Sequence, residues 1–282
     1  MHYLKIFLVG FLIIILFSFL NFYVSIKPPK FRTNITPTTY DLKYEEITIN
    51  TKDGLKLKGW FIPNEKSNKA IIVTHGYPFD KNNILTGTYF LAKKYNLLLF
   101  DFRYFGESEG KYTSVGYHET EDFKAAIQYL KSRNFTKIGA IGFSLGAAVI
   151  LLTNSPDVKA IVSDSSYATI DKMIEKSYFI FPGILKIPFV WLTKLYSHIF
   201  LRISTKEVSP LKNIQNIKAP ILFIHGEKDT QIPVENTELL YEASNKNKTE
   251  LWIIPNADHG TALLYYPNEY EKKVIEFFEK NL

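Results

Sequence analysis

The sequence contains no cysteine. Disulfide bridges, thiolate-bound zinc and a thiol nucleophile are thereby excluded, and nothing is learned of the redox compartment. Other signatures are missing as well. There is no G-x-G-x-x-G, no P-loop and no H-E-x-x-H, and His118-Glu119 lacks a second histidine at metal-ligand spacing. No cofactor and no metal are expected. The net charge of +6 comes from scattered lysines rather than a basic block. They read as a solvated surface with some attraction to anionic lipid, not as a nucleic-acid site. No internal repeat or low-complexity tract is visible.

Charge is also missing from one long stretch. Between Lys5 and Lys27 lie 21 uncharged residues, most of them Phe, Leu, Ile or Val. About 20 such residues span a bilayer as a helix. A cleaved signal peptide has a shorter apolar region and a small-residue cleavage site, and Asn21-Phe22-Tyr23-Val24-Ser25-Ile26 offers none. Residues 1–27 are therefore expected to form an uncleaved transmembrane anchor. The N-terminal amine and Lys5 stand against Lys27, Lys30 and Arg32. That difference of one charge leans toward a cytoplasmic body without fixing the side. Residues 28–43 are expected to form a linker, extended over Pro28 to Pro37, where prolines stand among Thr and Asn.

What remains, 44–282, is rich in core-forming residues: the chain is 46% hydrophobic and 15% aromatic. A length of 282 residues suits one α/β domain with insertions or two small domains. Glu45 to Asn50 and Leu55 to Ile62 alternate as strands do, with Thr51-Lys52-Asp53-Gly54 as the turn between them. Short apolar runs at 70–74, 97–101, 137–141, 158–163, 220–224 and 250–254 have the character of strands buried on both faces. Helical patterns fall between several of them, at 83–95, 117–133 and 147–152, and one closes the chain at 268–280. This alternation predicts a mostly parallel sheet covered on both faces. It is interrupted at about 165–218. Tyr178 to Leu201 is strongly apolar but broken by Pro182, Gly183, Lys186, Pro188 and Lys194. Central charges at about 3 kcal/mol each disfavour a second membrane helix there. A helical cap is expected instead, lining an apolar pocket, resting on the membrane surface, or merely packing on the core.

The chemistry centres on Gly142-Phe143-Ser144-Leu145-Gly146, a G-x-S-x-G pentapeptide between an apolar strand and an apolar helix. Two glycines let strand and helix approach, and the serine hydroxyl is pushed out at a helix N-terminus. A serine needs a base. Of the six histidines, His259 alone follows the last strand, downstream of a candidate acid. Asp229, after the strand ending near Ile224, is expected to orient it, with Asp164 as rival; Asp258 is too close in sequence to reach the ring. The oxyanion would be received by the backbone N–H groups of Leu145 and Tyr77.

Together these motifs resemble the α/β-hydrolase superfamily, and within it the membrane-anchored serine hydrolases related to Bem46 and the serine aminopeptidase-like branch. The likeness runs from about Tyr44 to the C-terminus. It is carried by His75-Gly76, Asp101-x-Arg103-x-x-Gly106-x-Ser108-x-Gly110, the elbow at Ser144, Asp229 with Ile232-Pro233, and His259-Gly260. The resemblance implies that the Arg103–Gly110 loop is structural. Tyr104 and Phe105 depart from the small residues usual there. The expected function is hydrolysis of carboxylic esters, acyl lipids among them, through a Ser144–His259–Asp229 triad and an acyl-enzyme. The expected partners are a small-molecule or lipid ester substrate and, through the N-terminal helix, a membrane. A peptidase or amidase uses the same machinery and is the alternative. A catalytically silent membrane-bound scaffold is a third reading, disfavoured because all three triad residues are present.

Overall fold

The structure, a computed structural model, describes residues 2–31 and 33–282. Arg32 and the N-terminal amine of Met1, which enter the charge count across the apolar segment, lie outside the described residues.

The chain begins with α1 (His2–Ile26), a continuous apolar helix. Among the described residues eight strands form one sheet. β1 (Glu45–Asn50) and β2 (Lys56–Ile62) form the expected hairpin at one edge. β3 (Lys69–Thr74) leads through α2 (Lys81–Thr86) to β4 (Asn96–Phe100). α3 (Glu119–Ser132), β5 (Lys137–Phe143), α4 (Leu145–Thr153) and β6 (Val158–Asp164) follow. The cap segment contains α5 (Ile170–Ser177), α6 (Ile187–Tyr196) and α7 (Pro210–Asn213). The chain then completes the sheet with β7 (Ile221–Gly226), α8 (Glu235–Ala243) and β8 (Thr249–Ile254), and ends in α9 (Ala262–Tyr265) and α10 (Pro267–Asn281).

The strand order is β1-β2-β4-β3-β5-β6-β7-β8. β2 is antiparallel to both neighbours, and every pair from β4 onward is parallel. Parallel strands buried on both faces need apolar side chains in both directions, which explains the unbroken apolar runs. Ile72, Ala140 and Phe223 point to one face and Ile71, Ile141 and Leu222 to the other, each into its own apolar layer. The sequence expectation differs in two places. The helix expected over 83–95 breaks at Gly87 and Thr88 into α2 and a 3₁₀ turn, Tyr89–Lys93, where the Thr88 hydroxyl donates to the Ile84 carbonyl. The helix α8 carried too weak an apolar stripe to be recognised.

Among the described residues two helical stretches are long and apolar enough to cross a membrane, α1 and Gly183–Leu201. The second returns to the sheet body at both ends. The helix before it, α5, is only 8 residues long and carries Asp171, Lys172, Glu175 and Lys176, so it cannot supply the second crossing such a path would need. Gly183–Leu201 is a cap element. It packs along the second half of α1 through edge-on and tilted rings of Phe17, Phe19, Phe22, Phe189, Tyr196 and Phe200.

Candidate active site

β5 ends at Phe143 and α4 begins at Leu145, so Ser144 alone turns the chain. Its φ of 55° and ψ of −114° lie in a region that side chains disfavour. The turn is held from outside. Ser144 N–H donates to the Asp164 carbonyl at 2.8 Å. A Cβ on Gly146 would stand 2.6 Å from the Thr74 carbonyl oxygen, and one on Gly142 2.6 Å from the backbone of Gly146 and Ala147. These contacts explain both glycines of the pentapeptide.

His259 lies on the loop between β8 and α9, and its Nδ1–H donates to Asp229 Oδ2 at 2.6 Å. Asp229 follows β7. Its Oδ1 accepts the backbone N–H groups of Gln231 and Ile232 at 2.9 and 2.7 Å. Burial alone would push this carboxyl up, but hydrogen bonds from His225 and His259 outweigh it and hold Asp229 well below the usual carboxylate range. With Nδ1 committed to Asp229, the Nε2 of His259 keeps its lone pair. Ser144 and His259 both line one cavity of about 300 Å³. Among the described residues the Ser144 hydroxyl has no hydrogen-bond partner, which leaves it free to turn toward that lone pair.

The rival acids are occupied elsewhere. Asp164 accepts the Tyr270 hydroxyl at 2.8 Å and the Ser165 hydroxyl at 2.9 Å, and burial pushes its carboxyl up. Asp258 ties its loop to the Asp229 loop, accepting Thr230 N–H and His259 N–H. His75 and His225, both fully buried, hold backbone. His75 Nε2 accepts Phe102 N–H at 3.0 Å, and His225 Nε2–H donates to the Ile232 carbonyl at 2.8 Å. His2 lies in α1, His118 opens α3, and His198 sits in the cap.

Tyr77 and Leu145 face the same cavity. Leu145 occupies the first position of α4, where an N–H has no intrahelical acceptor. Among the described residues neither Tyr77 N–H nor Leu145 N–H has an acceptor, which fits a pair of donors for a developing oxyanion. Gly76 lets the Tyr77 loop close on the elbow, since a Cβ there would lie 3.2 Å from Ser144 Cβ. Among the described residues no cluster of three His, Asp or Glu side chains is placed to hold a metal ion.

The Arg103 loop is a structural lock. Arg103 pairs with buried Asp122 at 2.6 Å and reaches Asp53 of the β1–β2 turn at 2.8 Å. Ser108 Oγ donates to the Asp101 carbonyl, and a Cβ on Gly106 would collide with the Asp101 carboxylate. The two bulky residues have uses here. Tyr104 donates its hydroxyl to the Pro28 carbonyl at 2.7 Å, and Phe105 packs its ring against His75 and Tyr77. One tethers the segment after α1, and the other buttresses the Tyr77 loop.

Two features escaped the sequence reading. His225 Nε2 lies 3.2 Å from the same Asp229 oxygen that holds His259. The last turns of α1 also wall the cavity, through Asn21, Phe22, Ser25 and Ile26. A signal for the second was present: Ser18, Asn21 and Ser25 are spaced three and four apart, marking one face of an otherwise apolar helix.

A sheet of this order with a Gly-x-Ser-x-Gly elbow after β5 defines an α/β-hydrolase. Residues 107–282 match the prolyl oligopeptidase family, and the chain belongs to it. YqkD of Bacillus subtilis, described as an uncharacterised protein, is 31% identical over 83% of this chain and 78% of its own length. Bem46 of Schizosaccharomyces pombe is 26% identical over 92% of this chain and 85% of its own. The likeness to Bem46 expected from the motifs is thus found across nearly the whole chain. A Saccharomyces cerevisiae relative, YNL320W, is described as a membrane protein and is 24% identical over 81% of this chain and 78% of its own. Among solved structures, the Pyrococcus furiosus esterase Pf2001 superposes with a TM-score of 0.74 at 33% identity, covering 90% of this chain and 99% of that one. The protein is a hydrolase of the α/β fold, with an N-terminal helix long and apolar enough to span a bilayer.

Proposed function

We propose that this protein is a membrane-tethered serine hydrolase of carboxylic esters. Residues 1–27 act as the anchor, 28–43 as the connection and 44–282 as the catalytic domain, with 165–218 as its cap. Ser144 Oγ attacks the ester carbonyl while His259 Nε2 takes its proton. The tetrahedral oxyanion is received by Tyr77 N–H and Leu145 N–H. His259 then returns the proton to the leaving alcohol, giving an acyl-enzyme on Ser144. Water, deprotonated by His259, releases the acid and restores the serine. Asp229 fixes the ring orientation and offsets the imidazolium charge.

The observation that carries this reading is the 2.6 Å bond from His259 Nδ1 to Asp229, which leaves the other ring nitrogen of His259 free beside a cavity that it lines together with Ser144. The Pyrococcus relative described as an esterase supports ester over amide. The family description, prolyl oligopeptidase, favours the second reading, a peptidase or amidase of the same machinery. Turnover of p-nitrophenyl esters against aminoacyl p-nitroanilides separates the two. The ester reading expects kcat/KM for the esters to exceed that for the anilides by at least a hundredfold. Faster turnover of the anilides would replace esterase by amidase.

A further inference from the structure

We propose that the cavity over Ser144 holds one acyl chain of a membrane lipid ester, that α1 forms one of its walls, and that it fills from the bilayer; this rests on the hydrolase reading above.

The first support is geometric. α1 has 25 residues and is therefore about 38 Å long, against about 30 Å of bilayer hydrocarbon. From its middle onward it is already packed on the cap. Tyr196 donates its hydroxyl to the Ile15 carbonyl, Phe17 meets Phe181 and Phe189 at 5.7 Å, and Phe19 meets Tyr196 at 5.5 Å. Only the part before these contacts, about 20 Å of helix, stands clear of the protein. An α1 that crosses the bilayer must carry the aromatic edge of the cap several ångströms into the hydrocarbon. The cap is dressed for that. Ile184, Leu185, Ile187 and Trp191 are exposed along one stretch, Ile184 at 76% and Trp191 at 61%. An apolar patch continuous with a membrane helix fits a lipid surface.

The second support is the chemistry of the walls. Among the described residues no Lys, Arg, Asp or Glu lines the cavity. Three of the wall hydroxyls are turned back onto their own helical segments: Ser25 donates to the Asn21 carbonyl, Ser177 to Ile174 and Ser197 to Thr193. Small residues on α1, α5 and the turn after α6 thus open space and present hydrocarbon to it. A charged α-amino or carboxylate group would find no counter-ion here, whereas an acyl chain needs none. A volume of about 300 Å³ lies at the lower end of the range for ligand sites, about 300–1,000 Å³, and suits one chain rather than two.

The test uses the full chain in lipid nanodiscs with p-nitrophenyl butyrate and laurate. Ser25→Trp fills the cavity from the α1 side, and Ile26→Ala enlarges it. The laurate-to-butyrate ratio of kcat/KM should fall at least tenfold in the first and rise in the second. Leu12→Trp, on the exposed first half of α1, should leave the ratio unchanged. Fluorophosphonate labelling counts intact sites in each variant, so a misfolded one is recognised. Laurate turnover should follow its mole fraction in the bilayer rather than its bulk concentration. An unchanged ratio in both cavity variants, with turnover still dependent on Ser144, overturns the acyl site and leaves the hydrolase reading standing. Turnover that survives Ser144→Ala in full overturns both.

Discussion

Asp229 is the most heavily supported side chain of the site. Two backbone N–H groups hold one of its oxygens, and His259 Nδ1 and His225 Nε2 converge on the other at 2.6 and 3.2 Å. Burial opposes ionisation, yet these donors win and depress the carboxyl. A depressed acid contributes stability that is present above its unfolded value, about pH 3.9, and is lost as pH falls through its folded value. Asp229 therefore stays ionised well into the acid range. Asp229 should add no protonation step to kcat/KM between pH 4 and 7. A second proton entering the acid limb in that range would show that Asp229 titrates there. Asp229→Asn should lower kcat about 10⁴-fold in ester assays, with KM little changed. At this scale much of the site was legible. Ser144, Asp229 and His259 sit in motifs whose spacing reflects strand ends, and strand ends are visible as apolar runs. His225 was not legible as a second Asp229 partner, because its role depends on how the Asp229 loop folds back over the end of β7.

Among elements, the elbow and the Arg103 loop are both closely packed. Gly146→Ala would drive a methyl to 2.6 Å from the Thr74 carbonyl, a backbone atom that cannot swing away. The variant should melt several degrees lower, and loss of soluble protein would be the extreme of the same effect. Wild-type stability would contradict the packing argument. Asp122→Ala leaves Arg103 buried without its main partner. Removal of one member of such a pair costs about 3–5 kcal/mol, measurable as a shift in the urea midpoint. The parallel strands were readable because burial on both faces leaves no polar position. Helices were harder. α8 was missed because its apolar stripe is thin, and the 83–95 pattern hid a break at Gly87 and Thr88.

At the scale of the molecule, the sequence separated an anchor, a linker and a body, whereas the structure packs α1 against the cap and into the cavity wall. Composition can show that a helix is apolar enough for lipid. It cannot show which half of the helix meets lipid and which meets phenylalanine, because both surroundings select the same residues. A fluorescence measurement resolves the difference. With Trp191 retained and Trp60 and Trp252 replaced by phenylalanine, brominated lipids in the nanodisc should quench emission by more than half. Emission indifferent to bromine would place the cap in water.

The proposed reaction depends on the reactivity of a single hydroxyl. The direct measurement is peptide mapping after reaction with a fluorophosphonate, by mass spectrometry of the full-length protein. The adduct should fall on the peptide carrying Ser144 and on no other serine. It should vanish in Ser144→Ala and form at least a thousandfold more slowly in His259→Ala. An adduct elsewhere, or equal labelling of wild type and Ser144→Ala, would contradict the mechanism.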